Sequence, residues 1–379
     1  MTAPPTDAIR LARAYLSRVA EPYPAALAAL VAQVGPVEAA ERVRAGEVSP
    51  SVASQTSARR GEERVHQDLE LIAKRGGRLL IPEDDEWPRW PLVALRGAAA
   101  QRCGGEPLAL WVRGQQDLAV ATDKAVAIVG SRAASGYGGH VAAEFAFGLA
   151  GAGVTVVSGA AYGIDGAAHR GALGGGGLTV AVLACGVDFA YPAGHQGLLG
   201  RIAREGVIVS EYAPGVTPAR HRFLMRNRLI AALSGGTVVV EAGRRSGAKN
   251  TAAITLALGR PLMAVPGPVT SASSVGCHEL LRDGQAVSVS SVAEIVESVG
   301  RFGDDLATEP AEKDSELGAP QGEAMRVYEA LGKRTGVSDE VVSVESGVQL
   351  ERVRALLPEL ELAGLALQSD GGWQKLEVP

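Results

Sequence analysis

The sequence predicts a doubly wound α/β core that carries a small helical domain at its N-terminus and a winged-helix domain at its C-terminus. Three observations lead there. At 379 residues the chain has room for two or three domains of roughly 150 residues each. Glycine is abundant at 48 residues while aromatic residues make up only 4%, a balance that suits many tight strand-to-helix turns in which backbone approaches a neighbour or a ligand closely. Between Arg78 and Val299, short β-branched runs alternate with helical stretches and glycine turns, as in parallel strands joined by crossover helices. Hydrophobic residues at 46% and charged residues at 21% exclude a disordered chain and a membrane protein, and the lack of a three-residue glycine period excludes collagen.

Residues 1–75 form the expected N-terminal domain, a SAM-like helical unit. Apolar residues recur at helical spacing in Ile9, Leu11, Tyr15, Leu16 and Val19, then in Leu27, Leu30, Val31 and Val34. Gly35-Pro36 and Ser49-Pro50 punctuate the helices. Glu21-Pro22-Tyr23-Pro24 lacks the glycine hairpin of a helix-hairpin-helix, so this domain reads as a structural or interaction appendage.

The core domain is expected over residues 76–300. Its strands are placed at Ala125–Val129, Val154–Val157, Leu178–Leu183, Val207–Val209, Thr237–Val240 and Leu262–Val265. Most are continuous apolar runs, which parallel strands covered on both faces require. Residues 301–320 hold six acidic residues against Arg301 and Lys313 and read as an acidic, flexible linker.

Residues 321–379 form the last expected domain. Helical segments at Glu323–Leu331, Ser338–Ser346 and Gln349–Ala363 precede a hairpin over Leu365–Leu376, broken at Asp370-Gly371-Gly372, and together they describe a winged helix-turn-helix. Residues 320–379 carry six Lys/Arg against ten Asp/Glu, a poor balance for reading a DNA groove. Pro358 falls inside the segment that would be the recognition helix and is expected to kink it. A protein-contact or regulatory module is therefore the favoured reading.

Cys103, Cys185 and Cys277 are odd in number and far apart, so neither a disulfide framework nor a zinc cluster is expected. No metal or cofactor is expected. The first residues lack an apolar signal core and no run of about 18 apolar residues occurs anywhere, so the expected location is the cytoplasm, away from membranes.

Three motifs bear on chemistry. In Val129-Gly130-Ser131-Arg132 through Gly138, a strand end feeds a small-residue loop and then a helix, so backbone N–H groups and the helix dipole face an anion and Arg132 adds a cation. The glycine spacing is not that of a dinucleotide-binding turn. In Ser158-Gly159 through Gly163-Ile164-Asp165 to His169, another strand runs into a helix, with Asp165 as the expected N-cap. Asp165 and His169 lack a third ligand or a nucleophile, so capping and packing are the favoured roles. The third motif carries charge: residues 201–260 hold ten Lys/Arg against Glu205, Glu211 and Glu241, a window of +7 within a chain of −5. Such segregation is a footprint for polyanions. Gly243 to Lys249 lacks Walker A spacing, which leaves nucleotide hydrolysis unsupported.

Eight short motifs follow one another in a fixed order: Gly130-Ser131-Arg132, Ser158-Gly159 through Gly163-Ile164-Asp165, Tyr191-Pro192, Ser210-Glu211-Tyr212, Arg226-Asn227-Arg228, Val240-Glu241, Ser246-Gly247 with Thr251, and Val265-Pro266-Gly267. The set resembles the DprA/Smf family of DNA-processing proteins, most strongly from Arg78 to Val299. The resemblance implies a Rossmann-like core that binds and protects single-stranded DNA, forms a homodimer and loads the RecA recombinase on incoming strands during natural transformation, with no enzymatic step. Carried over by position, Ser131, Arg132, Arg226, Arg228 and Lys249 would contact phosphates, and the Gly130 and Gly247 loops would offer backbone donors. Ser158, Gly159, Gly163, Asn227, Ser246 and Thr251 complete the implied DNA-binding set. Phe223 would stack a base or pack in the core. The sequence departs from the family pattern at Tyr162, a position often basic, and at Lys249, where an apolar residue is more usual.

Two other readings compete. Ser234-Gly235-Gly236-Thr237 leading to Glu241 is similar to the signature of nucleotide phosphoribohydrolases of the lysine-decarboxylase-like fold, in which Glu241 and Arg226 would be catalytic. A transcriptional regulator would use the winged helix, against which its acidic balance argues.

Overall fold

The computed structural model describes residues 7–96, 103–244, 246–300, 322–332, 336–362, 364–369 and 371–376. They fall into two compact units that divide between residues 307 and 308. The acidic segment 301–320 and Arg245 lie outside the described residues.

The first unit is built on a nine-stranded sheet. Its strands are β1 (Gly77–Leu80), β2 (Leu110–Arg113), β3 (Ala125–Gly130), β4 (Thr155–Ser158), β5 (Thr179–Leu183), β6 (Val207–Ser210), β7 (Gly236–Glu241), β8 (Leu262–Ala264) and β9 (Val287–Ser288). They lie in the order β1-β2-β6-β5-β4-β3-β7-β8-β9. All neighbours from β6 across to β9 are parallel, whereas β1 and β2 add antiparallel pairs beyond β6. The six expected strands are present with ends shifted by a residue or two. β1, β2 and β9 were not expected from the sequence. β9 spans only two residues, too few for a periodic signal to stand out, whereas β1 and β2 lie ahead of the strand-helix alternation as antiparallel additions to the sheet edge.

Successive residues of a strand point to opposite faces, and the core follows that rule. In β5, Val180 and Val182 join one buried cluster while Ala181 and Leu183 join another. In β3, Ala127 and Val129 face one side and Val126 and Ile128 the other.

The N-terminal segment forms helices at Asp7–Val19, Ala25–Val34, Pro36–Ala45, Pro50–Thr56 and Val65–Lys74. Tyr15, Leu16, Leu27 and Val43 share one buried cluster with Trp111, Leu183 and Ile208 of the sheet. Arg18 ties the first helix down, its Nη2 donating to Asp68 at 2.7 Å and to the Pro214 carbonyl at 2.6 Å.

The strand order positions the site. From β3 the sheet grows through β4, β5 and β6 in one direction, and the chain then crosses back to build β7, β8 and β9 on the other side of β3. A switch of this kind leaves a crevice outside the carboxyl ends of the two central strands.

In the second unit, helices Gly322–Glu329, Asp339–Ser346 and Leu350–Leu362 pack with an antiparallel pair, β10 (Ala366–Ser369) and β11 (Gly372–Lys375). Val327, Val342, Val353, Leu357 and Trp373 form its core. The last helix runs on through Pro358. Among the described residues, no helix is long and apolar enough to cross a membrane.

Candidate nucleic-acid interface

Two glycine loops meet at the switch. Gly130 ends β3 where a Cβ would stand 2.5 Å from Ile164 and 3.0 Å from the Glu241 carbonyl. The backbone N–H of Ile164 donates to the Ser131 carbonyl at 3.1 Å, and a Cβ on Gly163 would lie 2.2 Å from that same oxygen. Gly163 has φ +75° and occupies the N-cap of helix Ile164–Gly174. The expectation that Asp165 caps this helix is therefore corrected. Asp165 sits in the first turn, where its Oδ2 accepts from the amides of Gly159 at 3.1 Å and Ala161 at 3.4 Å. Burial pushes its carboxyl up against the opposing pull of Arg226.

Two more helices present capped N-termini here. The Ser135 hydroxyl accepts from the Gly138 amide at 3.1 Å and the Ser246 hydroxyl from the Ala248 amide at 3.2 Å, starting helices Gly136–Gly151 and Gly247–Ala257. Unpaired amides and aligned dipoles make such ends favourable for anions; the first is taken up by the Glu241 carboxylate, which accepts from the Ser135 amide, and the second lines the cavity described next.

Between these loops opens a cavity of about 900 Å³. Gly130, Ser131 and Arg132 form one wall; Arg220, Phe223, Arg226 and Asn227 line it along helix Arg220–Ala232; Ser246, Gly247 and Thr251 close the far side. Arg132 is exposed and its guanidinium lies 4.9 Å from the centroid of the Phe223 ring, which leans on Tyr191 at 5.4 Å. Arg226 forms the floor, with Nη1 donating to the Gly159 carbonyl at 2.7 Å and to that of Val182. A Cβ on Gly159 would meet this guanidinium at 2.6 Å, so glycine makes room for it. Burial pushes the Arg226 pKa down, against Asp165.

The arrangement can hold a chain of phosphates: three arginines, the N-terminus of helix Gly247–Ala257 and one aromatic face share a concave surface. The model of the DNA recombination-mediator protein A family matches residues 78–300. A Mycobacterium tuberculosis protein designated as a DNA processing protein DprA is 54% identical over 98% of this chain and 96% of its own length. The chain belongs to the DprA/Smf family. The Escherichia coli protein Smf is 37% identical over 78% of this chain and 77% of its own. The X-ray structure of DprA from Streptococcus pneumoniae superposes with a TM-score of 0.62 at 30% identity, covering 78% of this chain and 99% of that one.

Within this DprA/Smf chain, several residues carried over from the family pattern prove to be internal. Arg228 is fully buried, its Nη2 donating to both carboxylate oxygens of Glu211 at 2.7 and 2.6 Å. The helix turns that residue toward the protein interior, away from the cavity lining. Ser158 is likewise fully buried, its hydroxyl donating to the Ile128 carbonyl at 2.7 Å. Lys249 lies outside the cavity lining, and its Nζ donates to Glu279 at 2.7 Å.

The +7 window is also less open than its count implies. Arg222 pairs with Glu21 at 3.2 Å through Nε, Arg201 pairs with Glu205 at 2.9 Å, and Arg260 donates to the carbonyls of Ala231, Ala232 and Pro91 at 2.6–2.8 Å. Among the described residues, the cations that line the cavity are Arg132, Arg220 and Arg226. Arg220 was missing from the implied contact set. Its signal was present, since Arg220, Phe223 and Asn227 recur at helical spacing on one face.

Glu241, which the hydrolase reading would make catalytic, is not open to a substrate. It is buried, with Oε2 accepting from the Ser135 amide at 3.0 Å and Oε1 from the Ser273 hydroxyl at 3.1 Å. His169 is packed away as well. Thr179 donates its hydroxyl to the Val156 carbonyl at 2.7 Å, so its oxygen accepts from His169 Nδ1 at 2.7 Å. Burial lowers the His169 pKa to about 3.

Proposed function

We propose that this protein binds single-stranded DNA along the cavity without sequence preference, protects it, and loads RecA recombinase on incoming strands during natural transformation, acting as a homodimer and without covalent chemistry. The observation that carries the reading is the convergence of Arg132, Arg220 and Arg226 with the Gly130 and Gly247 loops and the Phe223 ring on one concave surface. Arginine and backbone donors hold phosphates and so position a strand, while stacking on an aromatic face accepts any base. Family membership supports a role in DNA processing.

Fluorescence anisotropy with labelled single-stranded and duplex oligonucleotides of equal length, at several salt concentrations, tests the binding step. Single-strand preference with steep salt dependence is expected. An Arg132→Ala/Arg220→Ala variant should bind all sequences more weakly and flatten the slope of log K against log salt by about 0.7 for each phosphate that is no longer neutralised. Unchanged affinity and slope in that variant would falsify the site. Recombinase loading is read from RecA-dependent strand exchange on strands already covered by single-strand-binding protein. No stimulation by this protein would refute that part.

A further inference from the structure

At the far rim of the cavity, beside Gly243, Ser246 and Gly247, two cations lean toward one carboxylate outside the cavity lining. Lys249 Nζ donates to Glu279 Oε2 at 2.7 Å, and Arg244 Nε lies 3.5 Å from Glu279 Oε1. Glu279 belongs to helix Val275–Arg282, and the Lys249 hydrogen bond holds its carboxyl below the usual range. We infer that Glu279 is a positioning residue that restrains Lys249 and Arg244 at the cavity rim, as an internal competitor for the phosphates of a bound strand. The inference rests on the proposed single-strand binding at this site.

The carboxylate withholds positive charge from the strand. Lys249 is 32% exposed, Glu279 23% and Arg244 80%, so both pairs touch water. Partly exposed ion pairs contribute little net stability, and a phosphate can exchange for the carboxylate. While Glu279 holds them, the two cations present a net +1 to a strand leaving the cavity; without it they present +2. A lysine at position 249 thus adds a phosphate contact that is available only against competition.

The test is a comparison of wild type, Glu279→Gln and Glu279→Gln/Lys249→Met by single-strand anisotropy over a range of salt. Glutamine keeps the shape and removes the charge. The single variant should bind several-fold more tightly at low salt, with a slope steeper by about 0.7 for each cation released. The double variant should lose most of that gain. Unchanged affinity and slope in Glu279→Gln, or a gain that survives the loss of Lys249 undiminished, overturns the inference. Arg132→Ala/Arg220→Ala separates the two claims: if that variant binds as wild type does, the binding site itself is wrong, whereas its failure to bind beside an unresponsive Glu279→Gln leaves the site standing and removes only the restraint.

Discussion

Replacing Arg228 by alanine distinguishes a phosphate contact from a structural ion pair. The side chain is fully buried and makes a two-pronged contact with Glu211, itself 6% exposed. Burial pushes the Glu211 carboxyl up while Arg228 opposes the shift. Arg228→Ala leaves that carboxylate buried without its partner, a loss of about 3–5 kcal/mol, to which the cavity left by a large side chain adds. Urea unfolding followed by circular dichroism should show a lower midpoint. Single-strand affinity per folded molecule should change little, since Arg228 does not line the cavity. A variant with an unchanged unfolding midpoint and abolished DNA affinity would refute this assignment and restore Arg228 to the DNA contacts.

Three further outcomes are expected. His169, neutral when folded with a pKa of about 3 against 6.5 for the free group, contributes stability that is present above pH 6.5 and lost as pH falls toward 3. Below pH 6.5 that loss approaches about 1.4 kcal/mol per pH unit, so His169→Gln should flatten the acid limb of a stability-against-pH curve; an unaltered limb would contradict the burial argument. Gly163→Ala forces a Cβ to 2.2 Å from the Ser131 carbonyl at a φ of +75°; about 1–3 kcal/mol of stability should go, measured by thermal unfolding, together with single-strand affinity. Phe223→Ala should weaken single-strand binding by about 1–3 kcal/mol with little change in salt slope, and a slope change equal to that of an arginine variant would show that the ring acts through Arg132.

Much of the fold was legible because it depends on short-range patterns. Apolar runs such as Val180–Leu183, bounded by glycine, specify a buried parallel strand wherever they sit in the chain. The glycine loops could be read too, since Gly130 and Gly163 mark positions where no side chain fits, Gly130 against Ile164 and Gly163 against the Ser131 carbonyl. The fate of each cation was not legible. Arg222 and Arg228 lie six residues apart in one helix that also presents Arg220 and Arg226, and composition treats all four alike. Only the folded chain brings Glu21 to Arg222 across 201 positions, Glu211 to Arg228 across 17, and Glu279 to Lys249 across 30. The layered α/β core, the switch-point loops and the basic window at residues 201–260 could all be read from the order of amino acids, because strand, turn and charge are properties of neighbouring residues. Which arginines face a ligand emerged only in three dimensions, because pairing and burial depend on groups that are distant in sequence and meet only after folding.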